Sequence, residues 1–314
     1  MANPFDAAQF SLETNIPADQ GPFLSRYTTF QLGGRCPAVI LCSSAQELKT
    51  AIGYLGAHQM DHFLVLGEGS NVLISDDGLD QVVIRYFSDT AHYERDGEDI
   101  VAEASSRIDH LAFSCAKEGL AGLEFASGIP GSLAGAVVGN AGAFGQEICS
   151  CVDAVEVIDC LGRARTIRLE ECGFSYRHSR FQDGKEIITR VRLRLKEDHS
   201  QDLLKERQRI LRERREKHPN YHRLPCAGSF FKNIEPSLAG QRRQAAGLLL
   251  DQIGAKQMSV GGAAVFEKHA NMIVKRSPGC TARDVHLLSR QMQEAVQQKF
   301  GISLSPEVRL IGRF

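Results

Sequence analysis

The chain has 314 residues, 43% apolar and 24% charged, which is ordinary for a globular protein and excludes general disorder. With 37 Lys and Arg against 38 Asp and Glu, the net charge is -1; no global field draws it to nucleic acid or an anionic membrane, so an anionic ligand needs a local cluster. A single core rarely grows beyond roughly 250–300 residues, so two or three domains are expected.

Residues 1 to about 20 are polar and expected to fray. They lack the basic start and apolar run of a secretory signal, and no window reaches the roughly 18 apolar residues of a membrane span. The nine Cys are odd in number and form no CxxC pair, so reduced, mostly buried thiols in a cytoplasmic protein are expected. Residues 38–41 form a short apolar run, and 45–56 read as a helix with Ser44 as cap and Glu47 three residues on. Strands follow at 63–66 and 81–86. A helix over 108–118 stops at Gly119. Segments 154–159 and 166–169 flank Gly162 as a hairpin. Over 187–196, Val191, Leu193 and Leu195 alternate with Arg190, Arg192 and Arg194, the period of a half-exposed strand. A charged helix over 201–217 ends before Pro219, and a domain boundary is placed near residue 200. Beyond it lie helices over 241–253 and 282–300, the second capped by Thr281 with Asp284 in its first turn, and a final strand over 307–312.

Five segments carry candidate chemistry. Gly67-Glu68-Gly69-Ser70-Asn71-Val72 follows an apolar strand, and its glycines let backbone N–H groups approach phosphate oxygens. It is neither a Walker A loop nor a complete Rossmann fingerprint, and a plain glycine turn explains it equally well. Gly128 to Gly145 has six glycines in eighteen residues; a Gly/Ala helix face explains Gly135 and Gly139, while backbone held against a flat cofactor or diphosphate also explains Pro130-Gly131. Gly131→Val is accordingly expected to remove a cofactor more than it harms folding. In Ser175-Tyr176-Arg177-His178, Arg177 can grip a carboxylate with two N–H groups. Gly228-Ser229-Phe230-Phe231-Lys232-Asn233 lacks a nucleophile elbow, so serine-hydrolase chemistry is disfavoured; Lys232 and Asn233 suit anion and hydroxyl recognition. Glu307 opens the last strand, and His269 lies in Glu267-Lys268-His269-Ala270-Asn271. No spacing of His, Cys, Asp and Glu makes a metal site.

In this order, with Thr28-Thr29-Phe30-Gln31-Leu32-Gly33-Gly34 before them, these segments resemble the UDP-N-acetylenolpyruvoylglucosamine reductase (MurB) family from about Tyr27 to Gly312. The two glycine segments are shared with other flavoproteins of that fold, whereas SYRHSRF, GSFFKN, GGAAV–EKHAN and SPEVRLIG are far more specific. Only five residues separate Phe181 from the strand at Ile187, so the chain resembles the type without the Tyr-bearing insertion. His178, His218, Phe266 and Lys275 stand where the family commonly has Asp, Gln, Ser and Asn; Ala134 and Gly139 also depart from its pattern.

The resemblance implies an α+β fold: an FAD-binding fold of the MurB/vanillyl-alcohol-oxidase type at 21–200, with lobes about 21–88 and 89–200, and an α+β substrate domain at 201–314 whose last strand is a candidate to return to the FAD domain. It implies NADPH-dependent reduction of UDP-N-acetylglucosamine enolpyruvate to UDP-N-acetylmuramate through non-covalent FAD, by a monomer without nucleic-acid or membrane partners. Hydride transfer demands such a cofactor, because no side chain carries hydride. Carried over residue by residue, Gly67, Glu68, Gly69, Ser70, Asn71, Val72, Ile129, Pro130, Gly131, Ser132, Gly135, Ala136, Asn140 and Gly142 hold the cofactor. Tyr176, Arg214, Lys217, Lys232, Asn233 and His269 hold the UDP-sugar; Arg177 and Glu307 stabilise an enol-like intermediate, and Ser229 supplies the proton. An oxygen-using oxidase of the same fold would lack Ser229 with its FFKN tail; a non-catalytic nucleotide-binding module need not keep Ser229, Arg177 and Glu307.

Overall fold

The computed structural model describes residues 5–60, 62–236 and 243–314. It divides into two compact units that are not consecutive halves. The first comprises the chain up to Gly21, Pro37–Glu68 and Gln81–Arg214; the second comprises Pro22–Cys36, Gly69–Asp80 and Arg215–Phe314. The boundary expected near residue 200 marks instead the start of a helix that runs to Lys217.

The first unit begins with a correction. A frayed tail is expected over residues 1 to about 20, of which 1–4 lie outside the described residues; the rest is ordered, with Ala7–Thr14 a helix, α1, capped by Asp6, whose carboxylate accepts from the N–H groups of Ala8 and Gln9. Phe10 is fully buried and meets Tyr54 edge-on at 4.9 Å. Burying a Phe side chain contributes about 1.5–3 kcal/mol, enough to hold a helix too short to persist alone. Strand Ala18–Gln20 then pairs antiparallel with Ala38–Cys42, which lies parallel to Val82–Tyr86, itself parallel to Phe63–Leu66. The expected helix after Ser44 is α2, Ala45–Ala57, with a complete Ser44/Glu47 capping box. Its Leu48, Ala51, Ile52 and Leu55 are buried at helical spacing.

A second, five-stranded antiparallel sheet places Ala164–Arg168, Val152–Asp159, Glu186–Arg194, Asp99–Glu103 and Tyr93–Asp96 side by side. The expected alternation holds: Val191, Leu193 and Leu195 are buried, while Arg190 and Arg194 reach Glu103 and Asp99 at 2.9 and 3.0 Å. Three more helices are α3 (Ile108–Lys117), α4 (Leu133–Val138) and α5 (Ser200–Lys217), whose last turn passes into the second unit.

In the second unit, Arg309–Ile311 runs parallel to Val72–Ile74. This pairing across the sequence explains why residues 69–80 belong with the C-terminal part. A four-stranded antiparallel sheet orders Cys226–Ser229, His269–Lys275, Ala263–Phe266 and Ser259–Val260. The helix expected over 241–253 is shorter: α6 spans Ala246–Gln252. Gln241 and Arg242 lie outside the described residues, and Gln244 exchanges backbone hydrogen bonds with Ile234 instead of entering the helix. The long helix α7, Ala282–Phe300, matches its expected bounds and carries a Thr281/Asp284 capping box. Its Val285, Leu288, Met292 and Val296 are fully buried, an apolar stripe at spacings of three and four.

All nine Cys are free, and all but Cys149 and Cys160 are buried. Burial pushes the thiols of Cys42 and Cys115 up to about 12, so these are inert core residues. Among the described residues no helix is long and apolar enough to cross a membrane, and no group of three or more His, Cys, Asp and Glu could hold a metal ion.

Candidate active site

In the first unit, strand Phe63–Leu66 delivers Gly67 and Glu68. A Cβ on Gly67 would stand 2.7 Å from Ser132 Oγ, so a side chain here would displace the hydroxyl that caps α4. Glu68 is buried, with Oε1 3.0 Å from the Arg107 guanidinium. The second glycine segment opens with Gly128, at φ +73°, whose N–H donates to Asp109 Oδ1 at 2.7 Å. Arg207 reaches the same oxygen at 2.6 Å. Burial alone would raise the Asp109 carboxyl, but hydrogen bonds from Arg207 and Gly128 outweigh it and hold the carboxyl below its ordinary value. Pro130 and Gly131 lead into α4, where Ser132 is the cap and accepts from Gly135 N–H at 3.1 Å. Ala136 is buried against the core and Gly135 is exposed. Ile129 is half-buried.

Gly131 sits at φ +137°. A valine is strained there whatever lies nearby, so Gly131→Val cannot separate cofactor loss from folding damage. Gly135 can: its added Cβ would have Ser132 Oγ as its nearest neighbour, at an ordinary 3.5 Å. Gly135→Leu is expected to fold with wild-type circular dichroism and to lose about tenfold or more in FAD affinity, the scale of a one- to three-kcal/mol overpacking. Full flavin occupancy in the purified variant would exclude a cofactor lying against this turn of α4.

Three buried polar atoms in or beside these segments have no hydrogen-bond partner among the described residues: Glu68 Oε2, Ser127 Oγ and Arg214 Nε. Native proteins leave few such atoms. An acceptor, a hydroxyl and a guanidinium N–H suit the sugar, phosphate and ring atoms of a dinucleotide, so the residues present fit FAD. Arg214 also donates to Phe125 O at 3.3 Å and lies over the Phe144 ring. A Cβ on Gly128 would press on Leu211 and Arg214 at 2.9 and 3.1 Å.

Arg177 occupies a tight turn closed by reciprocal Ser175–His178 backbone bonds. It lies at φ +52°, and its Nη2 donates to Gly142 O at 2.7 Å. Its guanidinium also stacks near the Tyr176 ring, 5.3 Å from the centroid. His178 is exposed.

The second unit brings together Asn71, Ser229 and Glu307. Gly69 lies at φ +72°, and a Cβ there would collide with Tyr27 O and Thr28, a packing requirement. Ser70 is half-buried and Val72 buried. Asn71 Nδ2 donates to Glu307 O at 3.2 Å, and Asn71 O accepts from Arg309 N–H at 3.1 Å. Glu307 N–H donates to Phe230 O at 2.8 Å, beside Ser229. Ser229 ends its strand directly after Gly228, at φ +75°, and its half-buried Oγ has no hydrogen-bond partner among the described residues. Lys232 N–H donates to Ser305 O at 2.9 Å. Asn233 Oδ1 accepts from Ala246 N–H at 3.2 Å, at the start of α6.

Two features were not legible beforehand. Asn271, buried at 3% exposure, clamps Phe231 through both side-chain ends: Oδ1 accepts from Phe231 N–H at 2.9 Å and Nδ2 donates to Phe231 O at 2.8 Å. Ser127, fully buried beside Gly128, carried no signal beyond its place before a glycine. His269 packs edge-on to His218, at 5.7 Å, and its Nδ1 accepts from Asn271 N–H. Burial lowers the imidazole below its ordinary value, and Lys217 adds to this from the end of α5. Of the departures from the family pattern, Phe266 is buried and Lys275 Nζ donates to Gln31 O at 3.0 Å.

Residues 36–168 match the family model of an FAD binding domain. Residues 218–311 match that of the C-terminal domain of UDP-N-acetylenolpyruvoylglucosamine reductase. The two domains together, with mixed α and β content, define an FAD-dependent oxidoreductase. A UDP-N-acetylenolpyruvoylglucosamine reductase of Caldanaerobacter subterraneus is 35% identical over 289 residues, 92% of each chain. That of Heliobacterium modesticaldum is 40% identical over 92% of this chain and 89% of its own. The crystal structure of the MurB of Thermus caldophilus is similar at a TM-score of 0.77 and 32% identity, covering 95% of this chain and 100% of the other. The chain belongs to the UDP-N-acetylenolpyruvoylglucosamine reductase family.

Proposed function

We infer that this protein reduces UDP-N-acetylglucosamine enolpyruvate to UDP-N-acetylmuramate with NADPH, a step of peptidoglycan precursor synthesis. The observation that carries the reading is family membership over more than nine-tenths of the chain. Bound FAD supplies the hydride chemistry that connects NADPH to the vinyl carbon of the substrate. The residues Gly67, Glu68, Ser127, Gly128, Ile129, Pro130, Gly131, Ser132, Gly135, Ala136 and Gly142 are proposed to hold it, together with Arg214, which was expected at the UDP-sugar and is assigned here instead by its buried Nε, unpartnered among the described residues. Addition at the vinyl carbon leaves negative charge on the adjacent carbon and its carboxylate. Arg177 stabilises that enol-like charge through its fixed guanidinium, and a preorganised cation counts for more than one that must be recruited. Glu307 acts with it. Ser229 delivers a proton to the carbon, and its otherwise unbonded Oγ supports that role. Tyr176, Lys217, Lys232 and His269 are proposed to bind the UDP-sugar. Asn233 supports the same site, with its side chain tied to α6.

The test uses purified protein. Acid precipitation is expected to release free FAD, and NADPH oxidation is expected only when the enolpyruvyl sugar is present, with a product heavier by two hydrogens. Colourless protein that takes up no FAD, or NADPH oxidation driven by oxygen with no sugar product, would sink the reading.

A further inference from the structure

We infer that Asn140 is the positioning residue of Arg177, and that its side chain holds the protein rather than the cofactor. The inference rests on the role proposed above for Arg177. Asn140 is fully buried. Its amide nitrogen donates to Glu147 Oε2 at 3.0 Å and to Ser175 O at 2.9 Å, which uses both hydrogens. Its Oδ1 accepts from Cys149 N–H at 3.3 Å. The main chain of the same residue completes the link: Asn140 O accepts from Arg177 Nη1 at 3.4 Å, beside the Gly142 O bond to Nη2.

The turn carrying Arg177 is thus gripped twice from one segment, at Ser175 O by the amide and at the guanidinium by two carbonyls. Gln182 Nε2 donates to Arg177 O at 3.0 Å and secures its far side. Asn140 and Arg177 lie at φ +41° and +52°, a region that most side chains avoid and Asn tolerates best. The floor under the guanidinium is closely packed: a Cβ on Gly142 would stand 2.8 Å from Glu147 Cγ and 3.2 Å from Arg177 Nη1. Loss of the amide frees Ser175 and lets the turn shift, and the guanidinium shifts with it.

Asn140→Gly keeps the left-handed backbone open and removes only the amide. FAD content and the thermal midpoint of the holoenzyme are expected to stay near wild type. Flavin reduction by NADPH should change by less than about twofold, while reoxidation by the enolpyruvyl sugar should slow about 10–100-fold, the effect of misplacing a catalytic group by about an ångström. Because Asn140 acts through Arg177, Asn140→Gly combined with Arg177→Ala should be no slower than Arg177→Ala alone. Asn140→Asp, isosteric but without the donors, decides the matter should the glycine variant fold poorly, and the same selective defect is expected. Wild-type reoxidation in a folded Asn140 variant, or multiplicative losses in the double variant, would overturn the inference. So would loss of FAD in step with activity, which would restore Asn140 to the cofactor. Arg177→Ala separates the two levels: normal reoxidation there sinks the catalytic reading itself, and slow reoxidation there beside a normal Asn140→Gly sinks only the positioning role.

Discussion

Ser229→Ala is expected to leave flavin reduction by NADPH near the wild-type rate and to slow reoxidation by the enolpyruvyl sugar by the roughly 10²–10⁴ typical of a lost general acid. Only the second half-reaction protonates the sugar's carbon, so only it should feel the missing hydroxyl. The structure sharpens this expectation. Ser229 Oγ bonds no described group, so the alanine removes no internal hydrogen bond and leaves no buried partner unsatisfied. The backbone that places it stays intact: Phe230 N–H donates to Asn271 O at 2.7 Å, and Phe230 O accepts from Glu307. A turn residue with no chemistry would show equal, small effects on both half-reactions. Stopped-flow absorbance resolves them separately, and a wild-type rate of reoxidation in Ser229→Ala would remove this residue from the mechanism.

What the sequence made legible was local. Helices α2 and α7 carry their own start signals, a Ser or Thr with Glu or Asp three residues on, and their own 3.6-residue stripes. Strand Glu186–Arg194 declares its buried face by strict alternation. Helix α1 gives no such signal, because what stabilises it is not in its own eight residues; Phe10 needs Tyr54, from α2. The late start of α6 is likewise not local, because Gln244 bonds the backbone of Ile234 instead of entering the helix. The site shows the same division. Family motifs name Arg177, Ser229 and Glu307, but not what holds them. Asn71 meets Glu307 across 236 positions, and Asn140 meets Ser175 across 35. For Gly67 and Gly69 the sequence leaves a ligand loop and a plain glycine turn equally open; added Cβ atoms there would meet the Ser132 hydroxyl and the Tyr27 carbonyl, contacts within the chain that no local pattern announces.

Arg177→Ala is the second large effect. The guanidinium is held by two carbonyls, Asn140 O and Gly142 O, and so is oriented before substrate arrives; a preorganised donor of this kind typically contributes about 10²–10³ in rate. Flavin loading and reduction by NADPH should be unaffected, and reoxidation by the sugar should fall by that factor. Arg177→Lys should recover little, because an ammonium is a point charge without the planar fork that the two carbonyls grip. Removal of the side chain also leaves a space with two carbonyl acceptors already in place. Guanidinium ion added to Arg177→Ala should therefore restore part of the reoxidation rate, and methylammonium should not. Restoration by both ions alike would show that Arg177 supplies charge alone, and a wild-type rate in Arg177→Ala without either would remove it from the reaction.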